Sequence, residues 1–115
     1  MPISPFFVVC ILSGIIFTIG GWFFQKYPPK EINHWYGYRT PSSQKSQERW
    51  NFAQKYSSKE MIRLGVMFMI ISLFGFVLPG SYVLIEAFAG VLILLILTIV
   101  LLFRVERAID KEFGR

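Results

Sequence analysis

The run PFFVVCILSGIIFTIGGWFF, residues 5–24, contains no ionisable side chain apart from Cys10. Twenty residues of α-helix rise about 30 Å, which matches the thickness of the hydrocarbon core of a bilayer. Two further apolar runs, residues 61–78 and 82–103, contain one charged residue each. Backbone groups in lipid must be bonded within their own segment, and no run alternates with the period of two that a barrel strand shows. The sequence therefore predicts an all-α bundle of three transmembrane helices.

The composition also indicates a membrane protein. Of the 115 residues 54% are hydrophobic, and the mean hydropathy of +0.51 is too high for an ordinary soluble domain. We predict one membrane domain with spans at about residues 4–25, 58–78 and 82–104, a loop at about 26–57 and a C-terminal tail at 105–115. The first run lacks a basic N-terminal region and is too long for a signal peptide, so we expect a retained anchor.

Positive charge is concentrated in the segments that three spans would place on one side of a membrane. These basic residues are Lys26, Lys30, Arg39, Lys45, Arg49, Lys55 and Lys59 in the loop, and Arg104, Arg107, Lys111 and Arg115 near the C-terminus. The N-terminal residues and the turn at 79–81 carry no charged side chain. By the positive-inside rule, we expect the N-terminus outside and the loop and C-terminus in the cytoplasm.

The loop contains NHWYGYRTPSSQKSQERWNFAQKY, residues 33–56, which is polar, basic and aromatic at once. Gly37 lies between bulky neighbours and is a candidate for a positive φ. Thr40 followed by Pro41 is typical of a helix start, with threonine as the N-cap and proline in the first turn.

The second half of this stretch has an amphipathic pattern. We predict a short helix at about 41–56 that lies along the cytoplasmic interface with Trp50 facing inward. Ser57 and Glu60 fit a capping box, which would begin the second span as a separate helix.

Small residues predict where the spans approach one another closely. Gly14, Thr18 and Gly21 share one face of the first span, and that face is expected to meet another span or a second copy of the chain in a homo-oligomer. The later spans also carry small residues, which we expect to bring them together: Gly65, Ser72 and Gly75 on the second, and Ala87, Ala89 and Gly90 on the third.

No catalytic or metal-binding constellation is visible, so no enzyme activity, metal or cofactor is expected. His34 is the only histidine, which leaves no zinc site and no pair of base and nucleophile. Glu86 is the one acid within a predicted span. It is either a helix-start acid that reaches the headgroups, or an ion- or proton-coupling group in a small oligomeric transporter or channel.

The basic, aromatic loop admits several interpretations. It can bind anionic lipid through charge alone, or a protein partner through its Trp, Tyr and Arg residues. It can also simply fix topology and supply the aromatic belt. Nucleic-acid binding is not expected, because the loop is short and tethered to a membrane.

Two strings of this loop resemble the signature of the SdpI family of small bacterial membrane proteins. They are Tyr36-Gly37-Tyr38-Arg39-Thr40-Pro41 and Trp50-Asn51-Phe52-Ala53, accompanied by Asn33, Ser43, Lys45 and the closing Tyr56-Ser57. This chain has Ser42 and Gln54 where that family more often has arginine and asparagine. The resemblance covers the loop closely and the flanking helices in layout, and it corresponds to the C-terminal three-helix part of the best-known member.

The resemblance implies immunity against a secreted toxic peptide, and signalling in which a cytoplasmic repressor is held at the bacterial plasma membrane. The residues expected to bind a partner or lipid are Asn33, Trp35, Tyr36, Gly37, Tyr38, Arg39, Thr40, Pro41, Trp50 and Phe52. The loop is expected to be held against the helix ends by Trp35, Tyr36, Trp50 and Phe52. Arg39 is the expected central contact, bonding carbonyls of the first helix, a lipid phosphate or a partner's carboxylate.

Overall fold

Three long helices make up almost the whole of the computed structural model, which describes residues 3–114. They are α1 (Pro5–Lys26), α2 (Gln47–Ser72) and α3 (Val83–Phe113), and a 3₁₀ helix, Leu73–Val77, directly follows α2. The described residues contain no strand. Each long helix has the length and apolar composition needed to cross a membrane. The predicted all-α class is confirmed, with three helices long and apolar enough to span a membrane.

Local signals define both ends of α1. The Ser4 hydroxyl accepts a hydrogen bond from the Phe6 amide at 3.2 Å, and Pro5 occupies the first helical position. At the other end the chain leaves the helix at Tyr27, directly before Pro28 and Pro29, which cannot donate a backbone hydrogen bond. These two prolines turn the chain into the loop.

The helix α1 approaches α2 closely where both lack large side chains. A Cβ atom added to Gly14 would lie 2.8 Å from the Gly65 carbonyl oxygen, and one added to Gly65 would lie 2.6 Å from the Thr18 amide nitrogen. A Cβ atom on Gly21 would lie 2.7 Å from the Ser58 carbonyl oxygen. The first helix therefore packs backbone against backbone on the second helix of the same chain.

The later glycines also contact α1, which differs from the predicted pairing of α2 with α3. A Cβ atom on Gly75 would lie 2.9 Å from the Cα atom of Phe7, and one on Gly90 would lie 2.9 Å from the Cβ atom of Val9. Ser72 is fully buried, and its hydroxyl donates to the Met69 carbonyl of its own helix at 2.6 Å. The glycines of the later segments therefore face α1, which is the common partner of the other two helices.

The segment predicted as an interfacial helix belongs to α2 instead. We predicted a helix at about 41–56 and a separate span from 58, but one helix runs without a break through both. Its N-cap is Ser46, whose hydroxyl accepts from the Arg49 amide at 3.1 Å. Ser57 forms no capping box, because its hydroxyl donates to the Gln54 carbonyl at 3.3 Å within the helix.

A buried seam explains why α2 and α3 extend beyond the apolar runs. Ala53, Val105 and Ile109 are completely buried and form a cluster separate from the core of the spans. Apolar packing therefore continues along both helices, and α3 reaches Phe113, through most of the segment predicted as a tail. We call the region formed by residues 22–60 and 102–114 the loop end, and the region formed by residues 3–5 and 78–86 the hairpin end.

Candidate functional site

Two buried side chains of α2 fix the course of the loop. The Trp50 ring is completely buried, and its Nε1 donates to the Pro29 carbonyl at 2.7 Å. The Gln54 amide binds both backbone groups of Tyr38: Oε1 accepts from the amide nitrogen and Nε2 donates to the carbonyl, each at 2.7 Å. The loop is therefore attached to the helix through its backbone, at two points.

Gly37 is needed where the loop passes over Gln54. Its φ of 106° lies in the left-handed region, which side chains rarely adopt. A Cβ atom there would also lie 2.7 Å from the Gln54 Oε1 atom and 2.6 Å from the Cγ atom of Pro29. Both the backbone conformation and the space favour glycine at this position.

Glu106 of α3 binds the other side of the same segment. Its Oε2 atom accepts hydrogen bonds from the Tyr38 hydroxyl at 2.9 Å and from the Thr40 hydroxyl at 3.1 Å. Burial, together with the nearby Glu106 carboxylate, raises the pKa of Tyr38 above its usual value. The phenol therefore remains a protonated donor. Because Gln54 and Glu106 both bond this segment, the loop joins α2 to α3.

The predicted helix start at Thr40 is a single turn. The Thr40 carbonyl accepts from the Gln44 amide at 3.1 Å, as in one turn of helix, but the chain leaves this conformation before Ser46. Ser43 is completely buried, and its hydroxyl accepts from the Thr40 amide at 2.9 Å. Pro41 lies in this turn. The Thr40-Pro41 pattern therefore begins a single turn, and the continuous helix begins at Gln47.

The outer surface of the loop is more exposed than predicted. The Asn33 side chain accepts from the amides of Trp35 and Tyr36 at 2.8 and 2.9 Å, which forms a tight turn. Trp35 at the tip of this turn is 87% exposed, so it does not hold the loop against the helices. Arg39 is also exposed, and it donates to the His34 carbonyl within the loop rather than to carbonyls of α1.

Other aromatic residues pack as expected of belt residues. The Tyr36 ring stacks on Phe24 of α1 with centroids 5.8 Å apart. Phe52 stacks on Tyr56 at 5.7 Å and meets Phe113 of α3 edge-on at 5.6 Å. These contacts tie the loop end together from α1 to α3.

Several polar residues that hold the loop end together were not predicted as site residues. Arg49 is buried, and its Nη2 donates to the Gly114 carbonyl beyond the end of α3 at 2.5 Å. Glu60 is buried and pairs with Arg104 through two bonds of 3.0 and 3.2 Å. Gln54 and Glu106 were missed as well. If residues 47–72 had been predicted as one helix, Arg49, Gln54 and Glu60 would have been placed on its buried face.

Glu86 lies at the opposite end of the molecule and is 4% exposed. Its Oε2 atom accepts from the amides of Gly80 and Tyr82 at 3.1 and 3.2 Å, and its Oε1 atom accepts from the Ser4 hydroxyl. These bonds join the turn between the last two helices to the start of α1. These bonds fit an acid at a helix start, one of the two alternatives left by the sequence, but the carboxylate is buried, whereas that alternative has it reach the headgroups.

Comparison with known proteins identifies the family. A model of the SdpI/YfhL protein family matches residues 30–104, more than half of the chain. The chain belongs to this family. The SdpI/YfhL match begins within the loop and ends at Arg104 of α3, so it covers Tyr38, Trp50 and Gln54 but not Pro29 or Glu106.

One relative has a curated description. It is the "Uncharacterized protein YfhL" of Bacillus subtilis (strain 168), which is 40% identical over 57 residues, 50% of this chain and 52% of that protein. The chain therefore spans about half the length of the SdpI/YfhL relative that it matches. No solved structure matches the chain.

Proposed function

We propose that this chain is a multi-pass protein of the bacterial plasma membrane that confers resistance to a toxic peptide, or transmits its presence, by binding a protein partner at the loop end. Membership in the SdpI/YfhL family supports this proposal. The role in immunity comes from the resemblance to the family's best-known member, in which the ligand-bound form retains a cytoplasmic repressor.

The distribution of charge supports a cytoplasmic position for the loop end. Basic residues are numerous there, whereas Glu86 is the only charged side chain of the hairpin end. Positively charged segments are retained on the cytoplasmic side during insertion. The N-terminus and the turn at 79–81 would then lie outside the cell.

The observation that carries the proposal is the contrast between the two surfaces of the loop. Its inner surface is bonded to Trp50, Gln54 and Glu106, while its outer surface presents Trp35 and Arg39 to solvent. Tryptophan and arginine are the residue types that most often dominate protein interfaces. A loop held in one conformation also loses less entropy when a partner binds. The outer surface is therefore suited to recognition.

The test is survival of cells that express the chain and are challenged with the secreted toxic peptide against which the family's best-known member protects. The variants are Trp35→Ala and Arg39→Lys, because both side chains are exposed and their replacement leaves the anchors intact. Matched controls are Trp22→Ala, an exposed tryptophan of α1, and Arg107→Lys, an exposed arginine of α3.

At equal expression we expect the two loop variants to lose at least tenfold in resistance and the two controls to change less than twofold. Wild-type resistance in both loop variants would overturn the outer surface of the loop as the binding site. An absence of protection by the wild-type chain itself would overturn the immunity role.

A further inference from the structure

A cleft at the loop end has no role in the partner binding proposed above. It has a volume of about 580 Å³ and lies between the last turn of α1, the segment 28–30 and the N-terminal half of α2. Phe24, Pro28 and Pro29 form an apolar side, and Lys30, Lys55 and Lys59 form a basic side. The outer surface of the loop, with Trp35 and Arg39, does not line it.

The walls of the cleft are held in place by bonds already described and by one more. Gln47 of α2 donates from Nε2 to the Lys30 carbonyl at 2.6 Å, directly beside the Pro29 carbonyl that accepts from Trp50. The backbone of Lys30 is thus fixed opposite α2. Lys55 and Lys59 are four residues apart, so they share one face of that helix.

The cleft is lined by three lysines and is positively charged. None of its lining residues is acidic. Glu60 pairs with Arg63 and Arg104, and neither of these ion pairs involves the three lysines. Like charges four residues apart on a helix repel one another. An anion in the cleft would relieve this repulsion.

The depth of the cleft indicates which anion it receives. Phe24 is the last residue of the first apolar run, and Lys59 lies two residues before Met61, where the second run begins. Exposed Trp22 and Tyr27 mark the same level on α1, where aromatic residues meet the headgroups. An anion at this level with apolar groups attached is a phospholipid headgroup, whose phosphate meets lysines and whose glycerol and acyl carbons meet Phe24 and the prolines.

We propose that this cleft binds the headgroup of an anionic phospholipid, with Lys55 and Lys59 as the main phosphate contacts and Lys30 closing the site from the loop. The bound lipid would link the loop segment 28–30 to α2 from the membrane side. This site is separate from the outer surface of the loop.

The experiment measures lipid binding to the purified full chain in detergent by native mass spectrometry, with phosphatidylglycerol and phosphatidylcholine as the two probes. One basic residue near an anionic surface strengthens binding by about fivefold. We therefore expect the double variant Lys55→Gln, Lys59→Gln to bind phosphatidylglycerol about twenty-five-fold more weakly. The matched control Lys45→Gln, Lys111→Gln removes the same charge from exposed positions outside the cleft and is expected to change binding by less than twofold.

Three further results decide the proposal. Retained binding in Lys55→Arg, Lys59→Arg supports a charge-dependent site, and equal losses in the cleft and control variants overturn it, because they would reflect net charge alone. Equal binding of phosphatidylcholine and phosphatidylglycerol overturns it as well. Displacement of phosphatidylglycerol by an equal concentration of inorganic phosphate would identify a site for soluble phosphate and overturn the lipid assignment.

Discussion

At both ends of the bundle a buried polar side chain holds the connecting segment, but the surroundings of the two side chains differ. In each case the side chain bonds the backbone of that segment: Gln54, 3% exposed, at the loop end and Glu86, 4% exposed, at the hairpin end. The Gln54 amide both donates to and accepts from Tyr38, whereas the Glu86 carboxylate only accepts. A buried polar residue in this protein is therefore no sign of chemistry by itself.

What surrounds the two anchors differs. Around Glu86 the connection is short, and the other residues of the hairpin end are uncharged. Around Gln54 the connection is long, basic and aromatic, and it leaves Trp35 and Arg39 exposed. The hairpin end closes the bundle, and the loop end also has exposed side chains that can bind a partner. The predictions below test this distinction, beginning with the largest expected effect.

Replacement of the buried Trp50 should reduce stability far more than replacement of the exposed Trp35. Trp50→Ala deletes a completely buried ring outside the apolar runs, together with its bond to Pro29. We expect the free energy of unfolding to fall by about 3–5 kcal/mol. Trp35→Ala removes an exposed ring and should change the same quantity by no more than about 0.5 kcal/mol. Both are measured by denaturant unfolding in detergent micelles.

Similar losses in these two variants would contradict the assignment of Trp50 as an anchor and Trp35 as a surface residue. Limited proteolysis gives a second readout. Trp50→Ala should expose the loop to cleavage, and Trp35→Ala should leave its cleavage rate unchanged.

An exchange of amide and carboxylate at the two anchors should destabilise both ends. Gln54→Glu places a carboxylate oxygen against the Tyr38 carbonyl, where a donor is needed, and should lower the free energy of unfolding by about 1–3 kcal/mol. Glu86→Gln replaces a charged acceptor by a neutral one toward Gly80 and Tyr82, and about 1–2 kcal/mol is expected. Thermal unfolding in micelles measures both changes.

The Glu86→Gln variant also distinguishes a structural role of Glu86 in closing the bundle from a role in transport. At equal amounts of folded protein, we expect Glu86→Gln to leave the proposed toxin resistance unchanged. We also expect the wild type and this variant to show the same proton-coupled movement of substrate across vesicle membranes. Loss of such movement in Glu86→Gln would show that the hairpin end performs chemistry, and the distinction between the two ends would fail.

The bond from Tyr38 to Glu106 should make the loop end sensitive to high pH. Because the pKa of Tyr38 is raised above the ordinary value of 10.0, its contribution to stability is complete below pH 10.0 and declines as the pH rises through the raised pKa. Tyr38→Phe should cost about 1 kcal/mol at neutral pH and should weaken the loss of stability above pH 10.0. A Tyr27→Phe variant, at an exposed tyrosine of the same end, is the control.

Unfolding curves at several pH values measure this effect. A slope above pH 10.0 that is the same in the wild type and in Tyr38→Phe would contradict the hydrogen bond to Glu106.

The spans were predictable from sequence because hydrophobicity acts on whole segments. Three apolar runs of suitable length were enough to give three helices. The boundaries within polar segments were not predictable, because Ser57 and Glu60 fit a capping box equally well whether a helix begins there or passes through. Burial of Ala53 against Val105 and Ile109 decides between these outcomes, and it depends on a helix far away in the sequence.

The candidate site shows the same limit. Gly37 and Trp50 stood out because their residue types restrict what the chain can do around them. Gln54 and Glu106 did not, because an amide or a carboxylate on a helix surface is ordinary until the loop is folded over it. The resemblance singled out the segment 33–57 without indicating which of its side chains face inward.

The central claim is that the loop end faces the cytoplasm and the hairpin end faces the outside. The most direct test is labelling of intact and permeabilised cells with a membrane-impermeant maleimide, with Cys10→Ala as the background. The account predicts that Ser81→Cys is labelled in intact cells and that Trp35→Cys is labelled only after permeabilisation. Labelling of Trp35→Cys in intact cells would contradict it.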